Sequence, residues 1–308
     1  MSFNRESFLK EVQVERAKED KSCEYEVTLK AISVYNQYYD CFRKKLKRNN
    51  KFRIEYDNNS DFSLSADILT SIRTPFNTSL MLAGNTPLYE KGDYIRSYIL
   101  EGHNDKYEKS IRPYCKAFAF VYYWIGNMMP VIYSFQGGSA DTWKRKMELM
   151  KKWYNTDLEN NPISDEELRR RIVEELSKGK SGRRDPKYKL WIQWMKRTCC
   201  INGFEDFVKY FYLIDMVEYT NYPFKVENIK DMIKNADWHY DYLPQKVDTR
   251  IVREFWINNT KLIIQRSYRI LFKKMNELDK TDQDNIKELF KYVFGTVAEL
   301  QEFDEELF

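Results

Sequence analysis

The stretch AFAFVYYWIGNMMPVIYSFQGGSA, residues 117–140, holds no charged side chain over 24 positions, in a chain whose charged fraction is 32%. A run of that length is a membrane-span candidate by length alone. Its interior argues otherwise. Gly126-Asn127 and Pro130 interrupt it, and Gln136-Gly137-Gly138 closes it. The apolar pieces 117–125 and 128–135 are each too short to cross ~30 Å of hydrocarbon. Both flanks are basic, with Arg112 and Lys116 before the run and Lys144, Arg145 and Lys146 after it, so no charge asymmetry orients a span. The expectation is no membrane contact, and two buried elements joined by a turn. Tyr107, Ile111, Tyr114, Cys115, Phe118, Tyr122 and Ile125 recur at helical spacing. Ser110 is placed to cap that helix, and Pro113 falls in its first turn, where a missing N–H costs little. Gly126 suits a left-handed residue that ends it. Residues 128–135 then read as a short buried strand, and a further helix opens near Ser139.

Outward from this stretch, helical patterns dominate. Helices are expected over 12–21, over 23–47, from Thr86-Pro87 toward Leu100, over 186–200, over 203–219 after a break at Asn202-Gly203, over 249–278, and after Thr281. Ser164 followed by Glu167 forms a capping box at another helix start. Phe52, Ile54 and Tyr56 alternate within 49–60 and suggest a second strand. Gly and Pro number only 10 and 8, which disfavours an all-β sandwich with its many turns. The expected fold class is mainly α: an irregular multi-helix domain with minor short strands. It spans 1–308 as a single domain, with residues 1–60 as an N-terminal helical extension.

The net charge of +4 is mild for a dedicated nucleic-acid binder. Five cysteines, Cys23, Cys41, Cys115, Cys199 and Cys200, form neither an even set nor a C-x-x-C. The expectation is five free thiols, Cys199 and Cys200 among them as core residues, in a reducing cytoplasm. Residues 1–21 are charged throughout and lack the apolar segment of a secretory signal. The abundance of Asn, Lys and Tyr points to an AT-rich bacterial or phage genome.

The string YYWIGNMMPVIYSFQGGSADTWKRKMELMKKWY, residues 122–154, resembles a motif of an uncharacterised bacterial protein family. In that family an aromatic helix runs into an Ile-Gly-Asn turn and an apolar segment with Pro. A Ser-Asp-x-Trp helix start follows, on a helix ending in Trp-Tyr or Tyr-Tyr. INGFEDFVKYFYLIDMVEY (201–219) is similar to the family's Gly-x-x-x-Phe-Val helix leading to a Leu-x-Asp pair. PFKVENIK (223–230) and the long C-terminal helix from Val247 are similar as well. The likeness covers about residues 60–275. It implies no established activity; the proximity of some members to restriction or phage-defence genes implies a place in phage–host conflict.

The candidate chemistry is sparse. The two histidines, His103 and His239, are far apart in sequence, so no His-rich metal site is expected. His239 lies between Asp237 and Asp241, a trio able to form a polar site, although a hydrogen-bonded loop histidine is the plainer account. The Ile-Gly-Asn turn is similar to the segment after the metal-binding histidine of His-Asn-His nucleases. Those enzymes need an upstream Asp-His pair to orient water on a metal, and this chain has no Asp-His dipeptide. No phosphate-binding loop or nucleophile elbow appears, so no catalytic residue, metal or cofactor is expected. Two basic patches are the best binding signal. Residues 43–53 carry Arg43, Lys44, Lys45, Lys47 and Arg48. Residues 178–189 carry Lys180, Arg183 and Arg184 and are followed by Trp191 and Trp194. Cations beside aromatics suit phosphate contact and base stacking, though cations also gather at helix C-termini for the dipole. The expectation is a binding or regulatory protein without catalysis, acting through a protein partner in phage–host conflict. The alternative is a nucleic-acid-binding effector or nuclease-like enzyme using the two patches. The oligomeric state is open.

Overall fold

The computed structural model describes residues 3–13, 64–69, 92–102, 109–132, 150–155, 184–218 and 249–300, with scattered positions between 72 and 90 and between 163 and 174. In chain order the elements are α1 (Arg5–Val12), β1 (Leu64–Ile68), α2 (Gly92–Leu100), α3 (Arg112–Val121), β2 (Met128–Ile132), α4 (Arg184–Cys199), α5 (Phe204–Tyr210), α6 (Ile214–Glu218), α7 (Thr249–Phe272) and α8 (Lys280–Phe290). The described residues are thus mainly helical, as expected. The strand pair is antiparallel, β1 against β2, with Leu64 opposite Ile132 and Ile68 opposite Met128. Pro130 lies opposite Ala66; with no N–H to donate, it suits a strand that has one described neighbour.

α7 organises the core. Trp256, Ile263, Ile264, Arg266, Ser267, Tyr268 and Ile270 on it are all buried. α3 packs across it, with Phe118 edge-on to Trp256 at 4.9 Å between ring centroids. α1 closes one end: Phe8 lies edge-on to Trp124 and stacks on Phe272. The buried hydrophobic side chains form one cluster running from Phe8 to Ala298. Among the described residues no helix is long and apolar enough to cross a membrane. In the uncharged stretch, all described residues from Ala117 to Met129 are buried except the half-buried Phe120.

Several boundaries differ from expectation. α1 covers Arg5–Val12, capped by the Asn4 carboxamide on the Ser7 N–H; Val12 ends it because Gln13 bridges Trp124 as extended backbone, and residues 14–21 of the helix expected over 12–21 lie outside the described residues. α2 starts at Gly92 and Thr86 lies outside it, while Pro87 is outside the described residues. The cap of α3 is Ile111, with no side-chain bond, because a 3₁₀ turn at Lys109–Ile111 absorbs Ser110; Pro113 does fall in the first turn. α3 stops at Val121. Residues 203–218 make two helices rather than one, since Tyr212 takes a left-handed φ of 54°. α7 ends at Phe272, where Lys273 has φ 55°. At the Ser164 start, the Glu167 N–H donates to Ser164 Oγ at 3.1 Å. α8 starts from a capping box of Asp279 with Asp282 and continues as a π-helix over Lys291–Val297.

The cysteines correct another expectation. Cys115 and Cys200 are free, but Cys199 is disulfide-bonded, to a partner outside the described residues. Cys115 is buried in the core, whereas Cys200 is exposed, because α4 ends at Cys199 and Cys200 turns away at φ 56°. The expected elements over 23–47 and 49–60 lie outside the described residues, as do the helix start expected near Ser139 and residues 133–135 of the expected strand.

Candidate functional site

Two places merit the name of site, and they are built differently. The first is where the motif residues converge on α7. Gly126 does not end a helix in the left-handed region; its role is close approach. A Cβ there would lie 2.1 Å from the Ile263 carbonyl oxygen and 2.4 Å from Ser267 Oγ. In the space a side chain would fill, the Gly126 N–H donates to Ser267 Oγ at 3.0 Å, and that hydroxyl donates to the Ile263 carbonyl at 2.7 Å. Beside it the fully buried Arg266 reaches across the turn. Its Nη1 donates to the carbonyls of Gly126 (2.7 Å) and Met128 (2.8 Å), and its Nε to that of Phe211 (3.0 Å). Asn127 Nδ2 donates to the Tyr122 carbonyl, while its own carbonyl takes the Leu69 N–H. One guanidinium therefore joins the Ile-Gly-Asn turn, the start of β2 and the break between α5 and α6 to α7.

The Leu-x-Asp pair has a similar fate. Asp215 accepts from Arg269 Nε at 2.6 Å and Nη2 at 2.8 Å, a bidentate pair almost closed to water. Arg269 Nη1 also donates to the carbonyls of Lys274 and Asn276, fastening the end of α7. At the next corner Tyr268 Oη donates to Asp282 Oδ1 at 2.9 Å, and Lys274 Nζ lies 2.8 Å from Asp282 Oδ2. Burial pushes the Asp282 carboxyl up, but the hydrogen bonds from Lys274 and Tyr268 outweigh it and hold it below the usual range. These polar groups are tied into the architecture. Burial alone pushes the Lys261 ammonium on α7 down to about 8, a perturbation that no local motif announces.

The second place is the corner between α4 and the helical residues 150–154. Tyr154 Oη meets Met195 Sδ, joining the two segments. Lys189 Nζ from α4 lies 4.2 Å from the centroid of the Trp153 ring, and Lys152 Nζ lies 4.9 Å from it. Lys196 Nζ is 5.9 Å from the Tyr154 ring. Two ammonium groups from separate helices thus share one indole, a contact in which the ring quadrupole offsets part of their mutual repulsion. The tryptophans expected to stack bases are not open to do so. Trp191 and Trp194 stack on each other, with centroids 5.1 Å apart, and they and Trp153 are buried.

The predicted site residues fare unevenly. Arg43, Lys44, Lys45, Lys47, Arg48, Lys180, Arg183, Asp237, His239 and Asp241 lie outside the described residues; Arg184 is placed only as the first residue of α4. Lys152 and Lys189 were passed over individually, although Lys189 closes the second basic patch and Lys152 precedes the Trp-Tyr of the motif. Among the described residues no group of His, Cys, Asp and Glu is placed to hold a metal ion. Comparison with known protein families, with curated proteins and with solved structures finds no match.

Proposed function

We propose that this chain is a binding and regulatory protein that works by non-covalent contact with a polyanionic macromolecule, nucleic acid being the reading best supported. The observation that carries it is the meeting of Lys152 and Lys189 on Trp153. That contact puts residues 150–155 and the continuation of the second basic patch side by side. Taken together, 150–155 and 183–197 contain eight cations (Lys151, Lys152, Arg183, Arg184, Lys187, Lys189, Lys196 and Arg197) and one acid, Asp185. Such local excess is what phosphate neutralisation uses, and the mild net charge of the whole chain conceals it. The test is binding to DNA over a salt series, for wild type and for the Arg183→Glu/Arg184→Glu pair. Affinity that falls steeply with salt in wild type and is lost in the pair is the expected result. No binding at ~50 mM salt, the low end of the useful range, rejects it.

The second reading is a protein partner, the role first expected from the sequence. An acidic protein would meet the same lysines, and a host pull-down with the charge-reversed pair as control separates the cases. Among the described residues the large exposed apolar side chains are Tyr94 on α2 and Met275 after α7, which gives this reading no special support. A place in phage–host conflict belongs to the same proposal and is tested by loss of phenotype in the pair. Cytoplasmic residence was expected together with five free thiols; the disulfide at Cys199 weighs against it, and a native disulfide found by mass spectrometry in freshly lysed, alkylated cells would reject it.

A further inference from the structure

We propose that the corner of α4 and residues 150–155 is a backbone-only contact surface for duplex DNA, preferring the duplex to the single strand. This deepens the nucleic-acid reading and rests on it. Proteins that hold single strands pair a basic groove with open aromatic faces, because unstacked bases gain from a ring to lie on. Among its described side chains this corner has the cations and withholds the rings. Trp153 carries ammonium groups on its ring; Trp191 is nearly closed to solvent and stacked on Trp194. The indole nitrogens of Trp153 and Trp191 are enclosed too, so neither can donate to a base edge. What faces outward is positive charge: Lys151 and Lys152 are exposed, and Lys189 and Lys196 half-exposed. Asp206, the carboxylate whose charge is felt at Tyr154, is turned to its own helix start, accepting from the N–H groups of Asn202 and Gly203. A duplex keeps its bases stacked on one another and presents phosphates on its outside. It loses nothing where the described rings offer no stacking platform, and such contacts carry no sequence information. Binding is therefore expected to be indifferent to sequence.

The experiment uses the full chain and fluorescence anisotropy. The probes are a labelled DNA duplex, the matching single strand, an RNA duplex and polyglutamate, each over a salt series from about 50 to 200 mM. Wild type is expected to bind the DNA duplex more tightly than the strand. Lys151→Gln/Lys189→Gln is expected to flatten the slope of log affinity against log salt by about two, close to one per phosphate contact, and Lys189→Arg to restore its share. Circular dichroism checks that each variant is folded. Duplex binding with an unchanged slope in the folded double variant overturns this surface while leaving the nucleic-acid reading intact. Tighter binding of the single strand or of the RNA duplex overturns the preference. Binding of polyglutamate with none of either nucleic acid overturns both, and makes the occupant an acidic protein.

Discussion

Arg266 and Lys189 are both cations brought against aromatic-rich helices, yet they stand in opposite relations to the fold. Arg266 is fully buried, and its guanidinium meets the carbonyls of Phe211, Gly126 and Met128. Lys189 is half-exposed and rests its ammonium on an indole. A planar fork of donors suits buried backbone carbonyls, whereas a compact ammonium on a flexible stem suits the boundary with water. A charge held by carbonyls is architectural, because removing it orphans several buried acceptors at once. A charge held on a ring face can be lost at small cost to the fold, and is therefore available for binding.

The largest effects are expected at the first region. Gly126→Ala places a methyl 2.1 Å from the Ile263 carbonyl oxygen, so α7 and the turn must separate; a loss of ~3 kcal/mol or more is expected from denaturant unfolding, at the upper end of overpacking costs. Arg266→Leu leaves the three carbonyls without their buried donor and should cost at least as much. The two substitutions open the same contact, so the double variant should cost clearly less than the sum. Additive losses would mean that turn and arginine are held independently. Asp215→Asn comes next, at about 3 kcal/mol, because it leaves Arg269 as a buried charge without its bidentate partner. An effect under ~1 kcal/mol there would break the claim that enclosed charges in this protein are architectural.

The α7–α8 corner should respond to pH. A carboxyl held below its unfolded-state value, ~3.9 for Asp, stabilises the fold at any pH above that value. It loses that contribution as the pH falls through the lower folded-state value. Stability should therefore be level near neutrality and decline below about pH 4. Asp282→Asn should cost about 2 kcal/mol at neutral pH, from hydrogen bonds to a charged group, and flatten this acid decline. A variant whose acid limb matches wild type would remove Asp282 from the account.

The two regions were unequally legible in the sequence. The uncharged run announced burial, and Ile-Gly-Asn announced a turn, because charge content and Gly-Asn are local signals. The reason for Gly126 was not local. Nothing in residues 117–140 shows that an α7 carbonyl lies where a Cβ would go, and a left-handed cap was the natural inference. Arg266 and Asp215 were invisible for the same reason: their partners are 140 and 54 residues away in sequence. Helix ends at Val121, Tyr210 and Phe272 were missed because a tertiary contact or a single positive φ ended them, not a Pro or a Gly. In the second region the basic patch was legible as charge. The burial of Trp191 and Trp194, which closes their faces to stacking, was no local signal, since it is set by what packs around α4.

The smallest stability effect is expected at that second region, and it is the sharpest form of the comparison. Lys151 is exposed, so Lys151→Gln should change unfolding free energy by less than ~0.5 kcal/mol. Lys189→Gln should cost about 0.5–1 kcal/mol, the range for a cation–π contact at an exposed site, because Lys189 is half-exposed although the ring beneath it is buried. Glutamine retains part of the stem that covers Trp153, and removing one of two neighbouring ammonium groups relieves repulsion from Lys152. Lys189→Arg should be neutral, since a guanidinium also lies well on an indole. The order Arg266→Leu, Lys189→Gln, Lys151→Gln should therefore descend by several kcal/mol in the first step and by a fraction of one in the second. A Lys189→Gln cost near that of Arg266→Leu would make the ammonium part of the architecture. The distinction between a charge held by carbonyls and one held on a ring would then fail, and with it the case for an outward-facing phosphate surface. A small cost would leave the lysines dispensable to the fold.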